Sequence, residues 1–247
     1  MIQAWQGHYT RRVVMGILQA LKKHIRFSCL FLITVPLFTQ AGGIVADGTR
    51  IVYPSGARQK NITVRNTDDK TTYLVQSWAE DAQGNKTKDF ISTPPLFTSA
   101  PGNENILRLT RTGGNIPADR ESLYYFTVKG IPSVDKNQLE GRNALVIAAA
   151  TRMKMFVRPP GLMPAPDIAP DQLRFRRENR HLVVTNPTPY YLTLTTIRAG
   201  SQTLDGMMVP PKGTASVLLP TGASGDITFS TINDYGAITA PRQAVFH

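Results

Sequence analysis

From residue 50 onward the chain consists of short runs in which apolar and polar side chains alternate. Alternation with a period of two is typical of half-buried β-strands, and these runs are rich in Val, Ile, Thr, Tyr and Phe. Turn residues separate the runs, and only residues 133–141 could form a short turn of helix. So many short strands predict an immunoglobulin-like β-sandwich. The strands predicted for it are 50–53, 61–66, 72–80, 104–110, 122–130 and 144–157.

A proline-rich stretch, residues 159–170, interrupts this pattern. Proline removes a backbone donor from a sheet, so the stretch predicts a stiff linker rather than a central strand. Strand-like runs then resume, at 172–178, 181–186, 190–200, 214–220, 226–233 and 243–247. The sequence therefore predicts an all-β protein with two sandwich domains, residues 42–158 and a smaller one at 171–247.

Residues 1–41 have a different character. They contain five Lys and Arg, no acidic residue, and an apolar run at 27–38. A basic segment, a short apolar run and a small residue at the exit predict a secretory signal peptide. The run is too short for a membrane span, which needs about 20 residues. We expect cleavage after Ala41 and a start at the first methionine or at Met15, with a core helix over 13–38 as the alternative.

Composition and charge limit the possible partners. The chain has 28 Lys plus Arg, 17 Asp plus Glu and one Cys, for a net charge of +11. Removal of residues 1–41 takes away five cations and the Cys, so 23 cations face 17 acids and the charge falls to +6. A single Cys excludes a disulfide framework. No block of five like charges occurs, so we expect no nucleic-acid binding, but an exported protein whose partners carry carboxylates.

Candidate catalytic groups are few. Beyond residue 41 the chain keeps His181 and His247, no Cys, and no serine motif of the hydrolase type. Glu80 and Asp81 are adjacent and would point to opposite faces of a strand, so they cannot flank one bond as a glycosidase pair does. We therefore expect no enzyme, and no cofactor, metal or nucleotide.

A secreted adhesin or lectin module is the alternative to consider. Trp78, Tyr124 and Tyr125 could stack on sugar rings, although the same aromatic side chains could equally pack the core.

The predicted strand at 144–157 departs from the sandwich pattern. Residues 144–150 are apolar on both faces, whereas a sandwich strand normally has one polar face. Such a strand could be central and covered by the second domain, or it could be covered only when a partner docks. Arg152 and Lys154 follow in the same strand, and they mark either a solvated strand end or a carboxylate site.

The chain resembles the periplasmic pilus chaperones of the chaperone–usher family, and is similar to those of type 1 pili. The resembling segments occur in order through both predicted domains, across residues 43–240. They are GTRIVYPSG, TYLVQSWAED, TPPLF, PADRESLYYF, IPSVDKNQLEGRNAL, TRMKMFVRP, LRFRR, NPTPYYLT and TINDYGA.

The resemblance implies two immunoglobulin-like domains in an L or boomerang arrangement with a cleft between them. It implies a periplasmic protein that binds, folds and caps pilin subunits and delivers them to an outer-membrane usher. The strand at 143–156 would complete the incomplete pilin fold by donor-strand complementation. Leu145, Ile147 and Ala149 match the donor positions, and relatives often carry Leu or Ile at the third. The loop 130–143 resembles the short-loop class that serves rod-like pili.

The resemblance also implies two charged sites. Arg50 and Lys154 match the cleft cations that bind the C-terminal carboxylate of the pilin. Glu121, Arg158 and Asp234 match a trio that holds the two domains at a fixed angle, and we expect Arg158 between the two acids.

The donor positions and the anchor differ in parity. Lys154 has an even number, whereas Leu145 and Ile147 are odd, so in a regular strand they face opposite ways. We expect a bulge or a strong twist between them if both face the subunit.

Overall fold

The computed structural model describes residues 42–134 and 145–246. The predicted signal peptide and most of the predicted loop 130–143 lie outside these residues, as does nearly all of the possible helical turn. No helix within the described part of the chain is long and apolar enough to cross a membrane.

Two sheets form the N-terminal sandwich. One sheet has the order β1-β3-β7-β5, and the other has the order β2-β9-β8-β4-β6. All pairings are antiparallel except that between β2 and β9, which is parallel. The strands are Ile44–Ala46 (β1), Arg50–Pro54 (β2), Gln59–Asn66 (β3), Tyr73–Glu80 (β4), Phe90–Thr93 (β5), Leu96–Ser99 (β6), Glu104–Arg111 (β7), Ser122–Pro132 (β8) and Ala149–Arg158 (β9).

Alternation along these strands builds the first core. On β9, Met153, Met155 and Val157 point inward and are buried, together with Leu107 of β7 and Phe126 of β8. The intervening residues of β9 therefore face away from this core.

The second sandwich has its own core, which includes Leu182, Leu194 and Phe229. One sheet has the order β10-β11-β15; in the other, β12 pairs with β13, β14 and β16, and β17 pairs with β16. The strands are Arg174–Glu178 (β10), His181–Asn186 (β11), Leu192–Ala199 (β12), Gln202–Leu204 (β13), Met207–Val209 (β14), Gly213–Leu218 (β15), Ile227–Thr231 (β16) and Arg242–Gln243 (β17). The all-β fold predicted from the sequence is confirmed.

One predicted strand is shorter in the structure than expected. The strand expected from 144 begins at Ala149, and residues 145–148 belong to no strand. The proline-rich stretch, predicted as a stiff linker, packs on the second sandwich. The Tyr190 hydroxyl donates to the carbonyls of Leu162 and Pro164, at 3.1 and 2.8 Å. Ala169 is buried in the second core and begins a short 3₁₀ helix.

A buried asparagine closes the end of a strand in each sandwich. The Asn66 amide nitrogen donates to the carbonyls of Thr71, Ser99 and Ala100, at 2.8 to 3.1 Å. Its amide oxygen accepts from the backbone of Asp68. One side chain thereby ties three carbonyls near the ends of β4 and β6 to the end of β3.

Asn186 does the same in the second sandwich. Its nitrogen donates to the carbonyls of Tyr190 and Pro210, at 2.7 and 3.0 Å, and its oxygen accepts from the backbone and hydroxyl of Thr188. Each loop is therefore held by one amide side chain in addition to its backbone hydrogen bonds.

Replacement of Asn66 tests this dependence. We expect Asn66→Ala to lower the free energy of unfolding by about 2–4 kcal/mol, because buried carbonyls lose their donor. Asn61→Ala is the matched control on the same strand, where the side chain is exposed, and should change stability by less than about 0.5 kcal/mol. Denaturant titration measures both, and equal effects would show that the buried amide has no special role.

Candidate functional site: the interdomain cleft and the exposed strand end

A cleft of about 360 Å³ lies where the two sandwiches meet. Arg50, Phe156 and Arg158 line it from the first sandwich, and Tyr191 and Asp234 line it from the second. It combines apolar ring faces with charges of both signs, so it can bind a small polar or anionic group.

Arg50 and Lys154 lie side by side on neighbouring strands. They are register partners in the parallel pairing of β2 with β9. The residues that follow them, Ile51 and Met155, are buried in the first core, so both cations face away from that core. The structure therefore brings together the two cations that the resemblance singled out.

The surroundings of Arg50 leave it short of acceptors. Its Nη1 donates to the carbonyl of Ile232 at 3.0 Å, and its guanidinium lies 5.6 Å from the ring centroid of Phe156. Its buried Nε has no acceptor among the described residues. A buried donor without a partner is costly, and an anion in the cleft would satisfy it.

The two cations also disfavour each other. Burial lowers the pKa of Arg50 against the opposing charges of Asp234 and Glu121. Burial, and then the charge of Arg50, lowers the pKa of Lys154. Lys154 forms no ion pair with any described residue. A bound carboxylate would reduce this repulsion and favour the charged form of both groups.

Arg158 lies between Glu121 and Asp234 at the domain junction. Its Nε contacts Glu121 at 2.7 Å, and its two terminal nitrogens contact both oxygens of Asp234 at 2.6 and 2.7 Å. The Glu121 side chain is only 1% exposed, and it also accepts from the backbone of Tyr191 at 2.8 Å. Burial opposes the charge on Arg158, but the two acids outweigh it and raise the pKa of Arg158.

Two further contacts across the junction were not anticipated from the sequence. The ring of Phe156 stacks on Tyr191, with centroids 5.7 Å apart, and Lys212 contacts Asp119 at 2.6 Å. Phe156 could have been found from alternation, because it shares the outward face of β9 with Lys154 and Arg158. The Lys212–Asp119 pair had no sequence pattern to indicate it.

The segment before β9 exposes large apolar side chains. Leu145 is 86% exposed and Ile147 is 71% exposed, and residues 148–150 are exposed as well. Of the two interpretations of this apolar stretch, burial on both sides is wrong. Exposed apolar surface of this kind is typical of sites that bind a partner or a ligand.

One backbone edge of β9 is also open. On one side β8 pairs with β9 from Ala149 to Val157, and on the other side β2 pairs only from Lys154 to Arg158. No described strand covers the second edge at residues 149–153. An open edge next to exposed apolar side chains is a template for an added strand.

The expected bulge is absent from β9. Its register with β8 runs unbroken from Gly130 opposite Ala149 to Ser122 opposite Val157. Ala149 therefore lies on the core-side face and Lys154 on the other. Leu145 and Ile147 precede the strand, so its register assigns no face to them.

Glu80 and Asp81 take structural roles. Glu80 contacts Arg152 at 2.6 Å and also accepts from Trp78 and Thr127, at 2.7 and 3.1 Å. Asp81 accepts from the backbone of the turn that follows it. No cluster suited to a metal occurs in the described ranges.

The three candidate sugar-stacking aromatics have protein partners. Tyr124 packs in the first core and donates to Asp89 at 2.9 Å. Arg152 lies 3.6 Å from the ring centroid of Tyr125, and Lys86 lies 4.6 Å from that of Trp78. Each of these two cations lies over one face of its ring.

Comparison with known proteins agrees with this geometry. Residues 43–163 match the family model for the pili and flagellar-assembly chaperone, PapD N-terminal domain. Residues 168–243 match that for the pili assembly chaperone PapD, C-terminal domain.

Individual relatives are similar over most of their length. The chain is 48% identical to the chaperone protein FimC of Escherichia coli K12 over 204 residues, which is 82% of this chain and 84% of FimC. It is 47% identical to the probable fimbrial chaperone SfmC of the same strain over 203 residues, 82% of this chain and 88% of SfmC.

Solved structures show the same two-domain fold. The periplasmic chaperone SfaE has a TM-score of 0.73 and 44% identity, covering 82% of this chain and all of SfaE. A structure of the Salmonella enterica SafA pilin in complex with the SafB chaperone gives a TM-score of 0.76 at 29% identity, covering 84% of this chain and 98% of the matched chain. With both domains matched in order, this chain belongs to the PapD family of pilus-assembly chaperones.

Proposed function

We propose that this protein binds, folds and caps pilin subunits by lending them residues 143–156 as a missing strand. The exposed apolar segment at 145–150 beside the open edge of β9 carries the proposal. Chaperone–pilin complementation is itself a standard example of strand addition, in which backbone pairing gives affinity and alternate side chains give specificity. Leu145, Ile147 and Ala149 would enter the groove of the subunit.

The position of β2 indicates how an added strand would end. β2 runs parallel to β9 and begins at Arg50, opposite Lys154. A subunit strand paired in parallel with residues 145–153 would lie in line with β2, and its last residue would arrive at Arg50. The terminal carboxylate would then meet the two cations, which supports their role as an anchor.

An anchor at this point would fix the register of the donated strand. A slip of one residue would turn Leu145 and Ile147 out of the groove, and apolar contacts alone specify register poorly. Charge-assisted hydrogen bonds contribute about 1.5–3 kcal/mol each and tie down one chain end.

Donor and anchor residues act from opposite faces of the strand. The core-side face of β9 is covered by its own sandwich at Met153 and Met155, but it is exposed at Ala149 and Thr151. The subunit would take the place of the missing layer over that exposed part. Lys154 would meet only the chain end, in the cleft.

Delivery to an outer-membrane usher and residence in the periplasm belong to the same proposal. They rest on membership of the family, on the periplasmic chaperone SfaE, and on the SafA pilin bound to SafB. Glu121, Arg158 and Asp234 would hold the two domains at a fixed angle, so that cleft and donor strand stay aligned.

Pilin recovery from periplasm tests the anchor. We expect Arg50→Ala and Lys154→Ala each to reduce co-purified pilin about tenfold or more, because each removes a charged partner of the carboxylate. Arg65→Ala is the matched control, since Arg65 forms only exposed ion pairs. Circular dichroism and melting must remain native, and mass spectrometry identifies the pilin. Normal pilin recovery with both folded variants would contradict the role of Arg50 and Lys154 as a carboxylate anchor.

Ala149 tests the fit of the donor strand. The side chain forfeits roughly 1.5–3 kcal/mol of burial relative to a branched one, which predicts a subunit groove that is shallow or already filled there. We expect Ala149→Leu to weaken binding to the pilin about fivefold or more, because it overpacks the groove. Ala150→Leu, on the opposite face, should have a smaller effect. Clear strengthening by Ala149→Leu would refute the idea.

Arg158 tests the junction. Arg158→Ala leaves the buried Glu121 carboxylate without its cation, so we expect a loss of about 3–5 kcal/mol of stability and an altered domain angle. Arg176→Ala is the control, because the Arg176–Glu178 pair is about half exposed and worth about 0–1 kcal/mol. Denaturation, solution scattering and pilin binding are the measurements. Unchanged scattering and binding in Arg158→Ala would contradict the proposed role.

A further inference from the structure

One turn of the second sandwich reaches the proposed carboxylate site directly. The carbonyl of Ile232 accepts from Arg50 Nη1 at 3.0 Å, which joins residues from different domains. This bond occupies one terminal nitrogen of the guanidinium. The edge formed by Nε and Nη2 faces no acceptor among the described residues, and a bidentate carboxylate needs an edge of this kind.

The turn that presents this carbonyl is stiff. The side chain of Asn233 accepts from the backbone nitrogens of Tyr235 and Ala237, at 3.1 and 2.9 Å. The Gly236 nitrogen donates to the carbonyl of Asn233 at 3.0 Å, and Ile232 forms a β-bridge with Ile238. Several internal hydrogen bonds and a β-bridge therefore join residues 232–238 into one compact turn.

The same turn is fastened to the first sandwich at a second point. Asp234 makes its two-pronged contact with Arg158, which lies opposite Pro54 in the parallel β2–β9 pair. Arg50 begins that pair, and Arg158 ends it. The turn thus contacts both ends of the β2–β9 pair, through the Ile232 carbonyl at Arg50 and through the Asp234 carboxylate at Arg158.

A third contact leaves little space for movement. Gly236 has φ of +85°, and a Cβ at this position would overlap the hydroxyl of Thr49, the residue before Arg50. The turn backbone therefore lies directly against the segment that carries the cation.

We propose that the turn at residues 232–236 positions the Arg50 guanidinium, so that the carboxylate site is complete only when Asp234 holds the turn against Arg158. The inference rests on the proposed function. It adds that the affinity of this protein for the C-terminal carboxylate of the pilin depends on the angle between the two domains. The turn residues are positioning residues, since they act on the ligand through Arg50.

Removal of the Asp234 charge distinguishes an effect of the turn on the position of Arg50 from an effect of net charge on anion binding. Asp234 is an acid whose charge acts on Arg50, so deleting it makes the cleft more positive and, by charge alone, should strengthen binding of an anion. Loss of positioning predicts weaker binding of the anion instead. Asp167 also lines the cleft, and its carboxylate forms no hydrogen bond or ion pair with the turn among the described residues, so Asp167→Asn is the matched control.

The probe is a peptide of the C-terminal strand of the pilin recovered with the wild-type protein, made with a free carboxylate or a C-terminal amide. The wild type should bind the free acid about tenfold or more tightly than the amide. We expect Asp234→Asn to reduce that ratio below about threefold, while Asp167→Asn stays within about twofold of the wild type. Gly236→Ala displaces the turn without changing any charge and should also lower the ratio.

Melting and solution scattering establish that each variant is folded. Retention of the wild-type ratio in either folded variant overturns the positioning role, as does an increased ratio in Asp234→Asn. Absence of any preference for the free acid in the wild type is a different result, because it contradicts the carboxylate anchor itself.

Discussion

Strict alternation along strand β9 is the constraint on which the rest of the structure depends. Its core-side residues complete the first hydrophobic core, and its outward residues Lys154, Phe156 and Arg158 supply the cleft and the domain junction. Because the register with β8 has no bulge, neither set can shift without displacing the other. Folding of the first sandwich therefore places Lys154, Phe156 and Arg158 together on the outward face of β9.

The free protein keeps unfavourable features that binding would remove. Leu145 and Ile147 are in water, the Nε of Arg50 lacks an acceptor, and two cations lie on adjacent strands. Burial of each large apolar side chain would contribute about 1.5–3 kcal/mol. The stabilisation missing from the free state is thus available to a partner that covers Leu145 and Ile147 and brings an anion to Arg50.

The sequence predicted the fold well where strands were long and alternating. It missed β5 and β6 because Pro94 and Pro95 between them look like a simple turn, whereas the chain there crosses from one sheet to the other. Strands β1, β13 and β14 have three residues each, too few for a period to show. Exposure of residues 145–148 could not be derived either, because an apolar run has the same sequence pattern in a buried segment and in an exposed one.

The charged sites were identified by resemblance rather than by pattern. Arg50 meets Ile232, and Arg158 meets Asp234, across long separations in sequence that only the folded topology closes. Local rules of alternation and turn chemistry cannot specify such pairs. Alternation did predict that Ala149 and Lys154 face opposite ways, and the unbroken register of β9 agrees with this.

Trp78 gives the protein an internal optical reporter. It is the single tryptophan in residues 42–247, and it lies on β4 of the first sandwich, with its indole nitrogen 2.7 Å from Glu80 and Lys86 over its ring. Emission excited at the red edge of the absorption band therefore comes from the N-terminal domain alone. Changes in the second domain are silent in that signal, whereas tyrosine emission and far-ultraviolet dichroism report both. The two domains can thus be followed separately in one unlabelled sample.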